Sequence, residues 1–236
     1  MNILITGQNG FVGTHLTNHL KYIEKSFSLI EFNRSYFHDE VKLDLVVKKA
    51  DVIIHLAAVN RSKKVSEIFD VNYNIAKNLN ESIRRVKFSG KLIFTSSIQE
   101  NQNNNYGKAK KMAREIFEKS SKEIKFKFSA LLIPNVFGPF CKPNYNSFIS
   151  TFCENISKQR PLKIKEDKII PLIYIDKLIK EIIYQINSNL SEQILLKFDK
   201  QISVLEVQNK LEYFNDMYVL KNTIPKLESD FDLNLF

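Results

Sequence analysis

Tyr106 and Lys110 stand four residues apart in the run Tyr106-Gly107-Lys108-Ala109-Lys110, and Ser97 lies nine residues before the tyrosine. If the run opens a helix, the tyrosine and the lysine share a face. An ammonium beside a phenol favours phenolate, and moving a phenol from about 10 to near 7 corresponds to about 4 kcal/mol. A phenol in that range suits a general acid that protonates an oxyanion near neutral pH. A serine at the end of an adjacent strand can hydrogen-bond the same oxygen and hold a carbonyl in place. Tyr-x-x-x-Lys alone recurs by chance as a surface pair. Joined to Ser97 and to a glycine-rich turn at the N-terminus it becomes specific, and the chemistry indicated is acid–base work on a carbonyl.

That turn lies in Asn2-Ile3-Leu4-Ile5-Thr6-Gly7-Gln8-Asn9-Gly10-Phe11-Val12-Gly13-Thr14-His15-Leu16. An apolar strand leads into glycines at Gly7, Gly10 and Gly13, and a helix opens at Phe11 and Val12. Backbone N–H groups at a helix start face a pyrophosphate, and glycine lets the main chain come close to it. The alternative is a turn whose glycines serve backbone geometry alone.

The elements that must position these residues follow from periodicity. Val12, Leu16, Leu20 and Ile23 fall near one helix face. Ser26 to Phe32 reads as a second strand, and an acid near its end would bind a ribose 2′-hydroxyl. Glu31 is one candidate, although alternation turns it from the crevice. Asn33 and Arg34 follow, and a guanidinium there can pair with a 2′-phosphate, which favours NADPH over NADH. The competing role of Arg34 is a solvated loop residue. Val41 to Leu45 reads as a short third strand, with Asp44 either at the adenine edge or in a turn. Asp51 to Leu56 is a fourth, and Leu56, Ala57 and Ala58 let the chain pass beneath a cofactor. His55 lacks a second ligand at metal spacing and reads as a packed histidine, and no metal site is expected.

A long helix spans roughly Lys63 to Lys87, with Asn72 on its apolar face either tying helix to strand or supporting the site through a water. Lys91 to Thr95 is a fifth strand ending in Ser96-Ser97, and Gln99 to Asn105 is a polar loop. The Tyr106 helix runs to about Ser120, and Lys125 to Ile133 is a sixth strand that Pro134-Asn135-Val136-Phe137-Gly138-Pro139 breaks. Beyond it, Ser147 to Lys158 is a helix, Ile169 to Tyr174 a strand, Asp176 to Asn187 a helix and Gln193 to Phe198 a strand. Ser203 to Phe214 is a helix whose Ser203 and Glu206 fit a capping box, and Ile224 to Phe236 is weakly patterned.

Strands alternating with helices predict an α/β, Rossmann-type, doubly wound parallel sheet with a small C-terminal substrate lobe. Residues 1–133 and about 169–188 are expected to form the dinucleotide-binding domain, and about 134–168 and 189–236 the lobe. Gly7, Arg34, Ala57, Ser97 and Asn135 all follow strands, so one crevice at the strands' carboxyl ends can collect them.

The chain has 236 residues, 44% of them hydrophobic, enough to bury a sizeable core. No run approaches the ~20 apolar residues of a membrane span, and no leader precedes the first strand, so a cytoplasmic location is expected. Two cysteines, Cys141 and Cys153, fit a reducing compartment. The net charge of +9 comes from scattered lysines without aromatic interleaving, which argues against nucleic acid and suits an anionic diphosphate substrate.

Together Thr6-Gly7-Gln8-Asn9-Gly10-Phe11-Val12-Gly13, His55-Leu56-Ala57-Ala58, Thr95-Ser96-Ser97 with the tyrosine run, and Pro134 to Pro139 resemble the extended short-chain dehydrogenase/reductases. Residues 55–61, 95–110 and 134–153 are similar to the CapF/WbjC-type reductases of capsule and O-antigen sugar biosynthesis. The resemblance implies NADPH-dependent reduction of the C4 ketone of a UDP-linked 2-acetamido-2,6-dideoxy-4-ketohexose, on a route to N-acetyl-L-fucosamine. It implies Ser97, Tyr106 and Lys110 as the catalytic trio, with Lys110 also on the nicotinamide ribose. Pro134 and Asn135 would face the nicotinamide; Asn135, Asn144, Asn146, Ser147 and Phe148 would face the sugar nucleotide. Enzymes of this type usually continue into a metal-binding cupin that epimerises the sugar. This sequence stops at Phe236 before such a domain, so a homodimer or a separate epimerase partner is expected. Competing activities are an NAD-dependent nucleotide-sugar 4-epimerase and a non-catalytic dinucleotide-binding sensor. A 4,6-dehydratase fits less well, because Ser97 is followed by Ile98-Gln99.

Overall fold

A computed structural model describes residues 1–23, 26–62 and 64–236. In chain order the elements are β1 (Asn2–Thr6), α1 (Phe11–Tyr22), β2 (Ser28–Ile30), α2 (Glu40–Lys49), β3 (Val52–His55), α3 (Val65–Arg85), β4 (Lys91–Ser97), α4 (Asn105–Ile124) and β5 (Lys127–Ile133). They continue with β6 (Asn135–Phe137), α5 (Phe148–Ser157), β7 (Ile169–Tyr174), α6 (Ile175–Asn187), β8 (Gln193–Leu195), β9 (Lys200–Ser203), α7 (Val204–Asn215) and α8 (Asp230–Leu235). Short 3-10 turns occupy Arg34–His38 and Ile98–Asn101.

Two compact units result, Met1–Ile133 with Ile179–Leu196, and Pro134–Leu178 with Lys197–Phe236. In the first, six parallel strands run in the order β2-β1-β3-β4-β5-β8, as the alternation of strands and helices predicts. Strands covered on both faces read as continuous apolar runs. Ile3 to Ile5 and Val52 to Ile54 are such runs, and all are buried. On one face of the sheet, Leu43 and Val47 of α2, Ile75, Leu79 and Ile83 of α3, and Ala113 and Phe117 of α4 form a single core with Leu4, Ile53, Leu92 and Phe94. The second unit has its own three-stranded sheet, β6-β7-β9, with β7 and β9 antiparallel. Its core gathers Phe137, Ile149, Phe152, Leu172, Val207, Leu211, Phe214 and Phe231.

Several sequence expectations need correction. Val41 to Leu45 is helix α2, not a strand. Val41 and Leu45 are exposed while Leu43 and Val47, four apart, are buried, a helical rather than an alternating pattern. Asp39 starts this helix by accepting from Lys42 N–H at 3.1 Å. Ile23, expected on the buried face of α1, is exposed at the helix end. The helix expected from Lys63 begins at Val65, and Lys63 itself lies outside the described residues. The segment expected at about 169–188 divides, because β7 pairs within the second sheet whereas residues 179–196, including β8, pack with the first. Asn135–Phe137, expected only as a break, forms β6 of the second sheet. The weakly patterned tail carries α8, whose Phe231 and Leu235 are buried. Its cap, Ser229, accepts from the Asp232 N–H at 3.2 Å. The capping box at Ser203 and Glu206 is present in both directions.

Candidate active site

The glycine turn joins β1 to α1. Gly7 has φ +81°, a left-handed conformation that suits glycine, and a Cβ there would lie 2.8 Å from the Ala57 nitrogen. A Cβ on Gly13 would lie 2.1 Å from the Gly7 carbonyl oxygen, so the helix seats directly on the turn. Gly10 is different: its Cβ would meet only the Gly7 oxygen, at 3.3 Å. Gly10 also caps α1 without a side-chain bond, and no acid stands in the helix's first turn. The first-turn N–H groups of Phe11, Val12 and Gly13 therefore begin a helix without a side-chain cap bond, the kind of start that can receive a pyrophosphate. The residues fit a dinucleotide.

The strand ends beside this turn are bonded to one another. Leu56 N–H donates to the Thr6 carbonyl at 3.1 Å, and Ala57 N–H to Thr6 Oγ1 at 3.4 Å. Asn72 of α3 holds the following loop, accepting from Val59 N–H at 2.7 Å and donating to its carbonyl at 2.8 Å, so its role is to tie helix to loop. Gln8 donates to the carbonyl of Phe32, linking the glycine turn to the end of β2. Arg34 follows on the 3-10 turn, exposed and without an ion pair among the described residues. Asp44 is elsewhere. It sits on α2 in a two-pronged pair with Arg85 of α3 at 2.9 Å, and that guanidinium holds its carboxyl below the usual range. Asp44, expected at a strand end, either at an adenine edge or in a turn, is instead a helix residue already paired with a guanidinium.

Ser97 ends β4, is buried, and caps the Ile98–Asn101 turn by accepting from Gln99 N–H at 3.2 Å. Asn104 caps α4, accepting from Gly107 N–H at 2.7 Å. Gly107 is a close approach, because a Cβ there would lie 1.9 Å from the Gln99 oxygen. The first turn of α4 thus packs directly on the turn after Ser97, which is how only nine residues can separate Ser97 from Tyr106. One helical turn on, buried Lys110 donates from Nζ to the Thr95 carbonyl at 2.8 Å. Its Nζ lies 4.8 Å from the Phe94 ring centre and 5.7 Å from that of Tyr106.

Burial pulls the Lys110 amine down to about 7, opposed by the negative charge of Glu100. The Tyr106 phenol moves the other way, pushed up by burial. This corrects the expected fall toward 7. Lys110 sits near the ring, is bonded to Thr95, and is itself short of charge, while desolvation of the phenolate dominates. His55 is a core histidine, with Nδ1 2.7 Å from Thr6 Oγ1 and its ring stacked on Phe94. Burial first, then Lys110, lowers it to about 3, so it is neutral near pH 7.

Sequence reasoning passed over Glu100 and Arg114. Glu100 is buried, accepts from Ser96 Oγ, and takes Arg114 Nε at 2.9 and 3.1 Å. No local spacing marks the two as partners. The remaining expected site residues belong to the second unit. Pro134 is buried, and Asn135 on β6 is exposed, its amide 3.5 Å from the Pro171 carbonyl. The Asn144 amide donates to Glu154 at 2.7 Å, and its N–H to Thr151 at 2.9 Å. Asn146 is exposed beside it. Ser147 caps α5 by accepting from Ser150 N–H at 3.2 Å, and Phe148 packs edge-on against Phe152. Among the described residues no helix is long and apolar enough to cross a membrane.

Residues 3–194 match the NAD dependent epimerase/dehydratase family, and the chain belongs to it. The chain is 34% identical over 219 residues to the UDP-2-acetamido-2,6-beta-L-arabino-hexul-4-ose reductase of Pseudomonas aeruginosa, a match covering 92% of this chain and 58% of that protein. The capsular polysaccharide assembling protein CapF of Staphylococcus aureus superposes with a TM-score of 0.79 at 29% identity, over 100% of this chain and 63% of that one. The chain therefore spans less than two thirds of both relatives. The UDP-glucuronic acid 4-epimerase of Bacillus cereus, solved with NAD, shares the fold with a TM-score of 0.81 at 18% identity, covering 100% of this chain and 94% of that one.

Proposed function

We propose that the chain is an NADPH-dependent reductase of the C4 ketone of a UDP-2-acetamido-2,6-dideoxy-4-ketohexose, serving capsule or O-antigen sugar synthesis. The observation that carries the proposal is the docking of α4 on the end of β4. It ties Lys110 to Thr95 and packs the turn that follows Ser97 against Gly107, beside Tyr106. The similarity to a curated 4-ketohexose reductase supports the substrate class. A nicotinamide dinucleotide, when bound, supplies the hydride. The glycine turn and the uncapped start of α1 would hold its pyrophosphate, and exposed Arg34 would recognise a 2′-phosphate. Ser97 Oγ donates a hydrogen bond to the C4 oxygen and orients it. Tyr106, kept protonated by burial, delivers its proton to that oxygen as charge develops there. Lys110, near 7, can carry a proton and stabilises the phenolate left behind. In the second unit, Asn135 and the segment Cys141 to Phe148 would face the sugar nucleotide, and the chain would work as a homodimer or beside a separate epimerase.

The test is loss of NADPH absorbance in the presence of the UDP-4-keto sugar. Tyr106→Phe is expected to slow turnover by about 100- to 10,000-fold while leaving NADPH binding intact. Turnover of that variant at the wild-type rate would refute the mechanism. Interconversion of C4 epimers without net NADPH oxidation would instead indicate an epimerase, and cofactor binding without turnover of any keto sugar a sensor.

A further inference from the structure

Glu100 belongs to a polar loop, yet its side chain is only 3% exposed. A buried carboxylate needs compensation, and two side chains on two elements supply it. Ser96 donates from β4, and Arg114 of α4 forks onto it, with Nε at 3.1 and 2.9 Å and a terminal nitrogen at 2.9 Å. Arg114 is one helical turn beyond Lys110, and Ser96 lies between Ser97 and Thr95, the acceptor of Lys110. The same carboxylate thus joins the two segments that carry the trio.

We propose that Glu100 is a positioning residue for Ser97, Tyr106 and Lys110: it fastens α4 to the end of β4 through Arg114 and Ser96. The proposal rests on the assignment of that trio as the reductase machinery. The titratable or charged groups around Lys110 are His55 from β3, Glu100 from the 3-10 turn, and Tyr106 and Arg114 from α4 itself. His55 is neutral and Tyr106 protonated near pH 7. Glu100 is therefore the anion that opposes burial at Lys110, and Arg114 is paired to that anion.

The experiment follows the Cε resonance of Lys110 against pH in protein labelled at lysine, without substrate or cofactor; the signal is assigned by its loss in Lys110→Met. Glu100→Gln removes the anion and leaves Arg114 unbalanced, so the midpoint should fall by about one pH unit. Arg114→Gln leaves Glu100 unbalanced, so the midpoint should rise by a similar amount. A merely structural contact would move both variants in one direction or neither, and either result overturns the proposal. Should a single variant fail to fold, Glu100→Gln/Arg114→Met removes both charges together. It is expected to lower the midpoint and to cut kcat at least about tenfold with KM little changed, the mark of lost transition-state geometry. A double variant with the wild-type midpoint and kcat overturns the proposal. Opposite shifts in the single variants without any keto-sugar turnover support it, and count only against the substrate proposed above.

Discussion

Replacing Lys110 with methionine should stabilise the fold while abolishing the site's cation. Burial holds the Lys110 amine near 7 against an ordinary value of 10.5. Between those values the unfolded chain binds more protons than the folded one, so stability rises with pH through this window. Below 7 the folded state carries the whole cost of the buried ammonium, at most about 5 kcal/mol for a difference of that size. Above about 10.5 the cost is gone. Methionine occupies nearly the same volume and does not titrate, but it leaves the Thr95 carbonyl without the 2.8 Å donor that Lys110 supplies. That loss is worth about 1–2 kcal/mol. The variant should therefore be more stable than wild type by about 3 kcal/mol at pH 6.5, where about 4.6 kcal/mol of the cost applies, and about equal to it near pH 9.5, where only about 1.4 kcal/mol remains. Urea unfolding at pH 6.5, 8 and 9.5 measures the difference, provided that the m-values agree. A variant less stable than wild type at pH 6.5, or a gap that does not change with pH, would refute the argument. Confirmation would mean that the cation is kept for chemistry at the expense of stability, as expected of a working site.

Gly107→Ala places a Cβ 1.9 Å from the Gln99 oxygen, so α4 must move off the turn after Ser97. Turnover should fall at least about 100-fold, by NADPH oxidation assay, with a lower melting temperature; wild-type kcat would show that the close approach is dispensable. Arg34→Ala should raise KM for NADPH about tenfold, roughly 1.4 kcal/mol of binding, and leave KM for NADH unchanged; equal effects on both would remove Arg34 from 2′-phosphate recognition. His55, lowered to about 3 from 6.5, contributes stability that is full above 6.5 and is lost as pH falls toward 3. About 2 kcal/mol should go between pH 7 and pH 5 on its account. His55→Gln, which does not titrate, should lose correspondingly less over the same interval in guanidinium unfolding.

What the sequence made legible was whatever depends on neighbours in the chain. The glycine turn, the Ser203 cap and the shared helix face of Tyr106 and Lys110 all arise from residues within one or two turns of each other. The strand at Val41 to Leu45 failed for a related reason. Alternation over a few residues is compatible with a helix, and the deciding facts were the Asp39 cap and the burial of Leu43 with Val47. The pairing of Asp44 could not be read from pattern, because its partner Arg85 is 41 residues away.

The sign of the Tyr106 shift was illegible for a deeper reason. Pairwise spacing shows which charges are neighbours, whereas burial and hydrogen bonding are set by the assembled fold, and here burial raises the phenol and depresses the lysine together. Burial disfavours the charged form of each neighbour, and that cost outweighs the help the ammonium would give the phenolate. The charge that restores Lys110 comes from Glu100, ten residues earlier in the chain. It reaches the lysine only because β4 and α4 are docked, and it survives burial only because Arg114, fourteen residues on, completes the pair. A tyrosine–lysine motif therefore nominates two groups but not their charge states. Burial sets how far the lysine falls, and the buried carboxylate on the docked turn opposes that fall.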